Sequence, residues 1–298
     1  MTLRTSLMLI AGAAVLAACS PKGTDAAGDP APAAAPTPAQ ILDDVLAGAH
    51  RSDEEKARDQ FRHPKETLLF FGAEPTMTIV EIWPGGGWYT NVIAPFVAKG
   101  VGAYYAAGLN PETSERTRKA VDDFKAKFTN DPAVYGAVNV TVLGSEAGIA
   151  PAGSADLVLT FRNVHNWMNA GTAEANFKAF YDALKPGGVL GVVEHRAPDD
   201  AAADFEGKSG YVKVATVKAL AAQAGFDFED SSEVNANAAD TKDHPFGVWT
   251  LPPARRSSEI AGQTDPDFDR AKYDAIGESD RMTLKFRKPL AADGALLE

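Results

Sequence analysis

Two short polar runs carry the side chains best suited to moving a proton. One is 162–166, with Arg162, Asn163, His165 and Asn166; the other is 194–196, with Glu194, His195 and Arg196. A histidine titrates near neutral pH, so His165 is the first candidate for a general base, with Asn163 and Arg162 beside it in the catalytic set. Glu194, His195 and Arg196 are candidates for contacting substrate. His165 or Asn163 can equally cap the next helix or bond loop backbone, and each arginine can pair with an acid rather than bind an anionic group. His63 precedes Pro64 at a helix start, where it can close over both runs or serve only locally. Tyr89 and Trp167 can wall a pocket or fill the core. The five histidines, His50, His63, His165, His195 and His244, show none of the short spacings of a zinc site, so no dedicated metal is expected.

These groups need a frame, and the stretch 79–89, IVEIWPGGGWY, supplies its first piece. Ile79, Val80 and Ile82 form a short buried strand ending near Glu81. Gly85, Gly86 and Gly87 then allow a tight turn into a helix, with no Cβ to keep a ligand from the backbone. Such a turn cradles a nucleotide, or it is simply a close βα connection. Downstream the signals alternate. Strands are predicted at 77–83, 102–107, 138–143, 155–161 and 189–195, from Phe226 onward, and at 281–286. Helices are predicted at 88–98, 112–128, about 173–184, where KPGG ends the helix, and 212–224. The class is α/β, with a crevice at the carboxyl ends of parallel strands. Residues 40–72 carry short helical patterns and read as a cap over it. Residues 250–280 are polar, with few apolar positions, and read as a surface loop or a lid.

The remainder bounds the setting. Arg4 followed by the apolar run 7–16 reads as an export signal over 1–18, too short to span a bilayer as a stable helix. Residues 19–39, rich in Ala and Pro, read as a tether; the folded domain is 40–290, and 291–298 form a tail. Its roughly 260 residues beyond the tether, in a chain 45% hydrophobic and 23% charged, suffice for one core. A net charge of -11 with no basic run argues against a nucleic-acid partner and leaves a small molecule as the expected ligand.

Two resemblances follow from these motifs. Leu16, Ala17, Ala18 and Cys19 resemble a bacterial lipobox, which implies lipidation of Cys19 and membrane attachment in the periplasm; Ser20 in the next position favours the outer membrane. From about Met77 to Phe286 the order of elements resembles a class I S-adenosylmethionine-dependent methyltransferase, most closely the exported or lipoprotein forms found in bacteria. The motif E-x-G-x-G-x-G falls on Glu81, Trp83, Gly85 and Gly87, joined by the strand 156–161, the RNVHNW run and LKPGG. The resemblance implies a Rossmann-like fold with a seven-stranded, mostly parallel sheet, helices on both faces and an antiparallel last strand. It also implies S-adenosylmethionine as cofactor, held by Glu81, Gly85, Gly86 and Gly87, by Asn110 in place of a ribose-binding carboxylate, and by Glu146 near the adenine. Trp83 stands where that family has its first glycine, and 104–110 holds no carboxylate. Export also removes the protein from the cytoplasm, where this cofactor is made. A second reading is therefore a non-catalytic, ligand-binding lipoprotein that keeps the fold.

Overall fold

The computed structural model describes residues 35–203, 205–260 and 262–290. The predicted signal peptide, Cys19, most of the tether and the tail lie outside them. Four helices precede the sheet: α1 (Pro38–Ala47), α2 (Asp53–Lys56), α3 (Asp59–Arg62) and α4 (Pro64–Phe70). Helix α1 begins within the predicted tether because Thr37 and Gln40 satisfy each other's backbone N–H groups and Pro38 needs no partner for its nitrogen.

The seven strands are β1 (Thr78–Ile82), β2 (Ala103–Gly108), β3 (Val138–Val142), β4 (Ala155–Phe161), β5 (Leu184–His195), β6 (Asp227–Ser232) and β7 (Arg281–Arg287). They form one sheet in the order β3-β2-β1-β4-β5-β7-β6. Strand β7 runs antiparallel to both neighbours, and the other pairings are parallel. This is the expected seven-stranded Rossmann-like arrangement. The connecting helices are α5 (Thr90–Ala98), α6 (Glu115–Phe128), α7 (Pro132–Tyr135), α8 (Val164–Ala170), α9 (Ala173–Ala183), α10 (Val214–Ala224) and α11 (Arg270–Asp274).

Local chemistry departs from the predicted boundaries in two places. The predicted helix 112–128 is split. Asn110 accepts from the Glu112 N–H to start a 3-10 turn over Pro111–Thr113, and Ser114 then caps α6. Helix α9 ends at Ala183, just before KPGG as expected, but KPGG itself lies within β5: Leu184 pairs with Ala155 and Val189 with Leu157, so the intervening residues bulge from the ladder.

Alternation along the strands sends side chains to two cores. Ile79, Leu157, Leu159 and Val193 face α5, α6 and the N-terminal helices, whereas Val80, Val158, Leu190 and Val192 face α8, α9 and α10. The N-terminal helices are part of the first core rather than a loose lid. Ile41, Leu42 and Val45 of α1 and Leu68 of α4 are buried there, and Phe71 lies where a Cβ on Gly191 of β5 would come 2.8 Å from its ring. Only the stretch around α2 and α3 reaches the crevice. Replacing Phe71 by alanine is expected to cost about 3–5 kcal/mol in urea unfolding; a loss below about 1 kcal/mol would mean that the cap adds little to the core.

Candidate functional site

A cavity of about 540 Å³ opens at the carboxyl ends of β1, β4 and β5. Its floor holds Glu81, Gly85, Gly86, Arg162, Asn163, His165 and His195; the cap contributes Glu55, Arg58 and Arg62. Residues 248–254 form a further wall, with Trp249, Leu251, Pro252 and Pro253 facing in. The first part of the polar excursion after β6 therefore walls the crevice, in keeping with a lid rather than a free surface loop. A second cavity, about 260 Å³, lies along β2, β3 and α6 and is lined mainly by Ala106, Leu109, Val121, Phe124, Val140 and Val142. Trp83, Pro84, Gly85 and Asn163 border both.

The loop after β1 shapes this junction. Trp83 continues the ladder with its N–H on the Ala107 carbonyl at 2.8 Å, yet its φ is +46°, a region in which side chains are strained. Its indole meets Trp167 edge-on at 5.6 Å, and its buried Nε1–H has no partner among the described residues. Gly85 and Gly86 are exposed, with open space where a side chain would project. Gly87 serves packing instead: a Cβ there would lie 2.2 Å from the Phe128 ring. Gly87, expected at the cofactor, lines neither cavity.

Glu81 points from β1 into the first core, and Thr90 (2.8 Å) and Tyr104 (2.5 Å) both donate to its Oε2. Burial pushes its carboxyl up to about 7, against the opposing effect of those two bonds. The Tyr104 hydroxyl is raised in turn, by burial and by Glu81. Glu81 is thus poised near neutrality at the edge of the larger cavity.

Across the floor, Glu194 organises the start of α8. Its Oε2 accepts the Val164 N–H at 2.6 Å and the His165 N–H at 3.4 Å, while Oε1 lies 3.1 Å from His165 Nδ1 and accepts the His195 N–H at 2.8 Å. A neutral His165 that donates from Nδ1 keeps its Nε2 lone pair available for a proton. Glu194 does not line the cavity; it positions His165 and corrects the expectation that it touches substrate. His195 Nδ1 lies 2.5 Å from Ser279 Oγ, and its ring is 5.5 Å from that of His165. Burial, then His165 and the arginines Arg281, Arg162 and Arg62, hold the His195 imidazole well below its usual range, so it stays neutral. His165, Glu194 and His195 each offer a ligand atom within 4.8 Å of the others. The fold therefore assembles a grouping that sequence spacing could not indicate. The Glu194 oxygens already accept from backbone and imidazole, however, and several guanidiniums lie nearby, so the trio reads as a hydrogen-bonded base and its support rather than a cation cage.

Arg162 lies at the end of β4 with φ +62°, its N–H on the Val193 carbonyl at 2.7 Å. Asn163 ties β4 to β1 through Nδ2 and the Ile82 carbonyl at 3.0 Å. Tyr89 stacks on Phe161 at 3.5 Å and donates to the Arg62 carbonyl at 3.2 Å, forming a cavity wall.

Several predicted site residues lie elsewhere. His63, at φ +39°, is the joint between α3 and α4 and does not line the cavity. Trp167 is fully buried in the second core. Arg196 is held by Asp280 and Glu233 outside the cavity. Asn110 is spent on its cap, and Glu146 is exposed and lines neither cavity. Conversely, Arg58, Arg62, Arg281, Trp83 and the wall at 248–254 were not singled out as site residues. The i, i+4 pair Arg58 and Arg62 gave some signal of a shared face, but nothing in sequence joins it to Arg281.

No protein-family model and no curated protein matches the chain by sequence. Solved structures do match in fold. A [4+2]-cyclase, SpnF, is 16% identical with a TM-score of 0.54, over 86% of this chain and 98% of its own. A candidate sarcosine dimethylglycine methyltransferase from Galdieria sulphuraria is 13% identical with a TM-score of 0.50, over 79% and 88%. A SAM dependent methyltransferase from Aquifex aeolicus is 20% identical with a TM-score of 0.44, over 60% and 87%. The first two establish the architecture; their descriptions name different reactions, so the fold does not select the chemistry.

Glu81 gives the site a measurable pH signature. A carboxyl raised from 4.5 to about 7 keeps a proton in the folded state that the unfolded chain releases, so stability falls as pH rises through that window and levels above it. Glu81→Gln is expected to remove this slope, gaining about 2–3 kcal/mol on wild type between pH 5 and pH 8 in denaturant unfolding. The same difference from wild type at both pH values would refute burial as the source of the raised pKa.

Proposed function

We propose that the crevice binds S-adenosylmethionine and passes its methyl group to a small substrate in the larger cavity. The observation that carries this reading is the pair of cavities meeting at Gly85, one apolar and one lined with polar groups around His165. The apolar cavity suits the adenosine part, the open backbone of Gly85 and Gly86 admits close approach, and among the described residues both donors to Glu81 choose Oε2 and leave Oε1 without a hydrogen bond. Bound there, the cofactor supplies an activated methyl. The protein's own part is to orient the acceptor and, where the acceptor carries a proton, to take it on His165 Nε2 while Glu194 fixes the ring.

A second reading, a ligand-binding protein without catalysis, draws on the same apolar cavity. Among the described residues no carboxylate lines it to receive ribose hydroxyls, and Lys125 is the only charged side chain there. Calorimetry with S-adenosylhomocysteine separates the two: saturable binding is expected, and none at millimolar concentration would remove the first. Gly86→Leu is expected to weaken that binding at least about tenfold without lowering the unfolding midpoint, since Gly86 has no left-handed φ and open space above it. Gly85, at φ +59°, would confound folding with binding. His165→Ala is expected to lower turnover about 10²–10⁴-fold with cofactor affinity retained; equal losses in both would make it a binding residue.

The setting is part of the proposal. The apolar run 7–16 and the motif ending at Cys19 support export and lipid attachment in the periplasm, with Ser20 favouring the outer membrane. Labelling with an alkyne fatty acid is expected to mark the wild-type chain and not Cys19→Ser; equal labelling would exclude Cys19 as the anchor.

A further inference from the structure

We propose that the substrate of the larger cavity carries an oxyanion, a carboxylate or a phosphate, received by Arg162 within a field set up by Arg58, Arg62 and Arg281. This deepens the proposed function by naming a substrate class, and it rests on that reading only in calling the ligand a substrate. Four guanidiniums line one cavity, and the buried Glu278 bonds three of them, those of Arg58, Arg62 and Arg281. Arg162, the fourth, has no side-chain hydrogen bond among the described residues. Of the two carboxyls that line the cavity, Glu81 is pushed up to about 7, and Glu55 is engaged by Asn91, the Ser52 N–H and Lys127.

The donors are also in surplus. Arg62 and Arg281 are each 2% exposed, yet among the described residues Arg62 Nη1, Arg281 Nε and Arg58 Nη2 have no partner. Buried cations without acceptors are costly, and a ligand bearing oxygen lone pairs and negative charge relieves that cost while forming the stronger class of hydrogen bond. The field is felt by its members: burial first, then neighbouring arginines, push the Arg162 guanidinium down to about 10. The strained backbone of Arg162 at φ +62° belongs to the same pattern, since strain of this kind persists where the surroundings impose it and clusters at ligand sites. Arg162 and His165 stand three residues apart at the end of β4, and both face the cavity. An oxyanion on Arg162 therefore sets the rest of the substrate beside the imidazole. The same field, added to burial, disfavours a cation at His195.

The test uses the purified protein without cofactor, so its failure is distinct from failure to bind S-adenosylhomocysteine. Inorganic phosphate and succinate are titrated separately by calorimetry at constant ionic strength held with chloride, and unfolding midpoints are recorded alongside. At least one probe is expected to saturate and raise the midpoint of wild type. Arg162→Gln is expected to weaken that binding about tenfold or more, as loss of a charged hydrogen bond does, and to raise the midpoint of the ligand-free protein by removing an unpaired cation. Saturation by phosphate alone assigns a phosphate ester, and by succinate alone a carboxylate. No saturation by either, or binding unchanged in Arg162→Gln, overturns the proposal. A lower midpoint for ligand-free Arg162→Gln would likewise overturn it by giving the guanidinium a structural role. Should that variant not fold, Arg58→Gln, on the cap, is expected to weaken binding severalfold, and unchanged binding there refutes the proposal equally.

Discussion

Glu278 is the tie on which the enclosure of the crevice depends. Its carboxylate joins Arg58 and Arg62 from the cap to Arg281 at the first position of β7, bringing together segments more than two hundred residues apart in the chain. Burial alone would push this carboxyl up; Arg281, Arg62, Arg162 and Arg58 overturn that effect and hold it at about 2. The group is therefore ionised throughout the range in which the protein would work. A buried ion pair adds little net stability compared with a well-packed apolar substitute, but losing one partner leaves charge stranded. Its value here is geometric. It fixes where the cap meets the sheet, with Arg62 4.5 Å over the Trp88 ring and its carbonyl holding the Tyr89 hydroxyl.

Three glutamates around one crevice have acquired three different characters from their surroundings alone. Glu278 is kept charged by guanidiniums, Glu81 is brought close to neutral by burial beside two hydroxyls, and Glu194 spends its oxygens on the N–H groups that open α8 and on an imidazole. The same side-chain chemistry thus becomes a fastener, a proton-sensitive edge and a positioning group. None of the three roles could be assigned from residue type.

What was legible in the sequence follows from what is local. Strand and helix order could be read because apolar periodicity and turn residues are encoded within a few positions; 155–161 and 281–286 are recovered as β4 and most of β7. His165, His195 and Arg162 could be placed at the crevice because strand ends open onto it. Side chains one or two positions away escaped such reasoning. Arg196 follows His195 but turns to Asp280, Trp167 is two residues past His165 yet faces the opposite core, and Gly87 is held by a phenylalanine forty-one residues later. The arginine cluster was hidden for a different reason: it is a coincidence in space between a cap helix and the last strand, and its only sign in sequence was a helical spacing that most often marks a solvated face.

The placement of the tryptophans has an optical consequence. The chain contains 4. Trp83, Trp88 and Trp249 line the larger cavity, and Trp167 touches Trp83 edge-on. No indole lies in a remote part of the fold, so the ultraviolet emission of the unlabelled protein originates almost wholly from the walls of the crevice and the ring behind them. Trp83, bordering both cavities, makes that emission sensitive to the filling of either, and the native chain becomes its own spectroscopic gauge of occupancy.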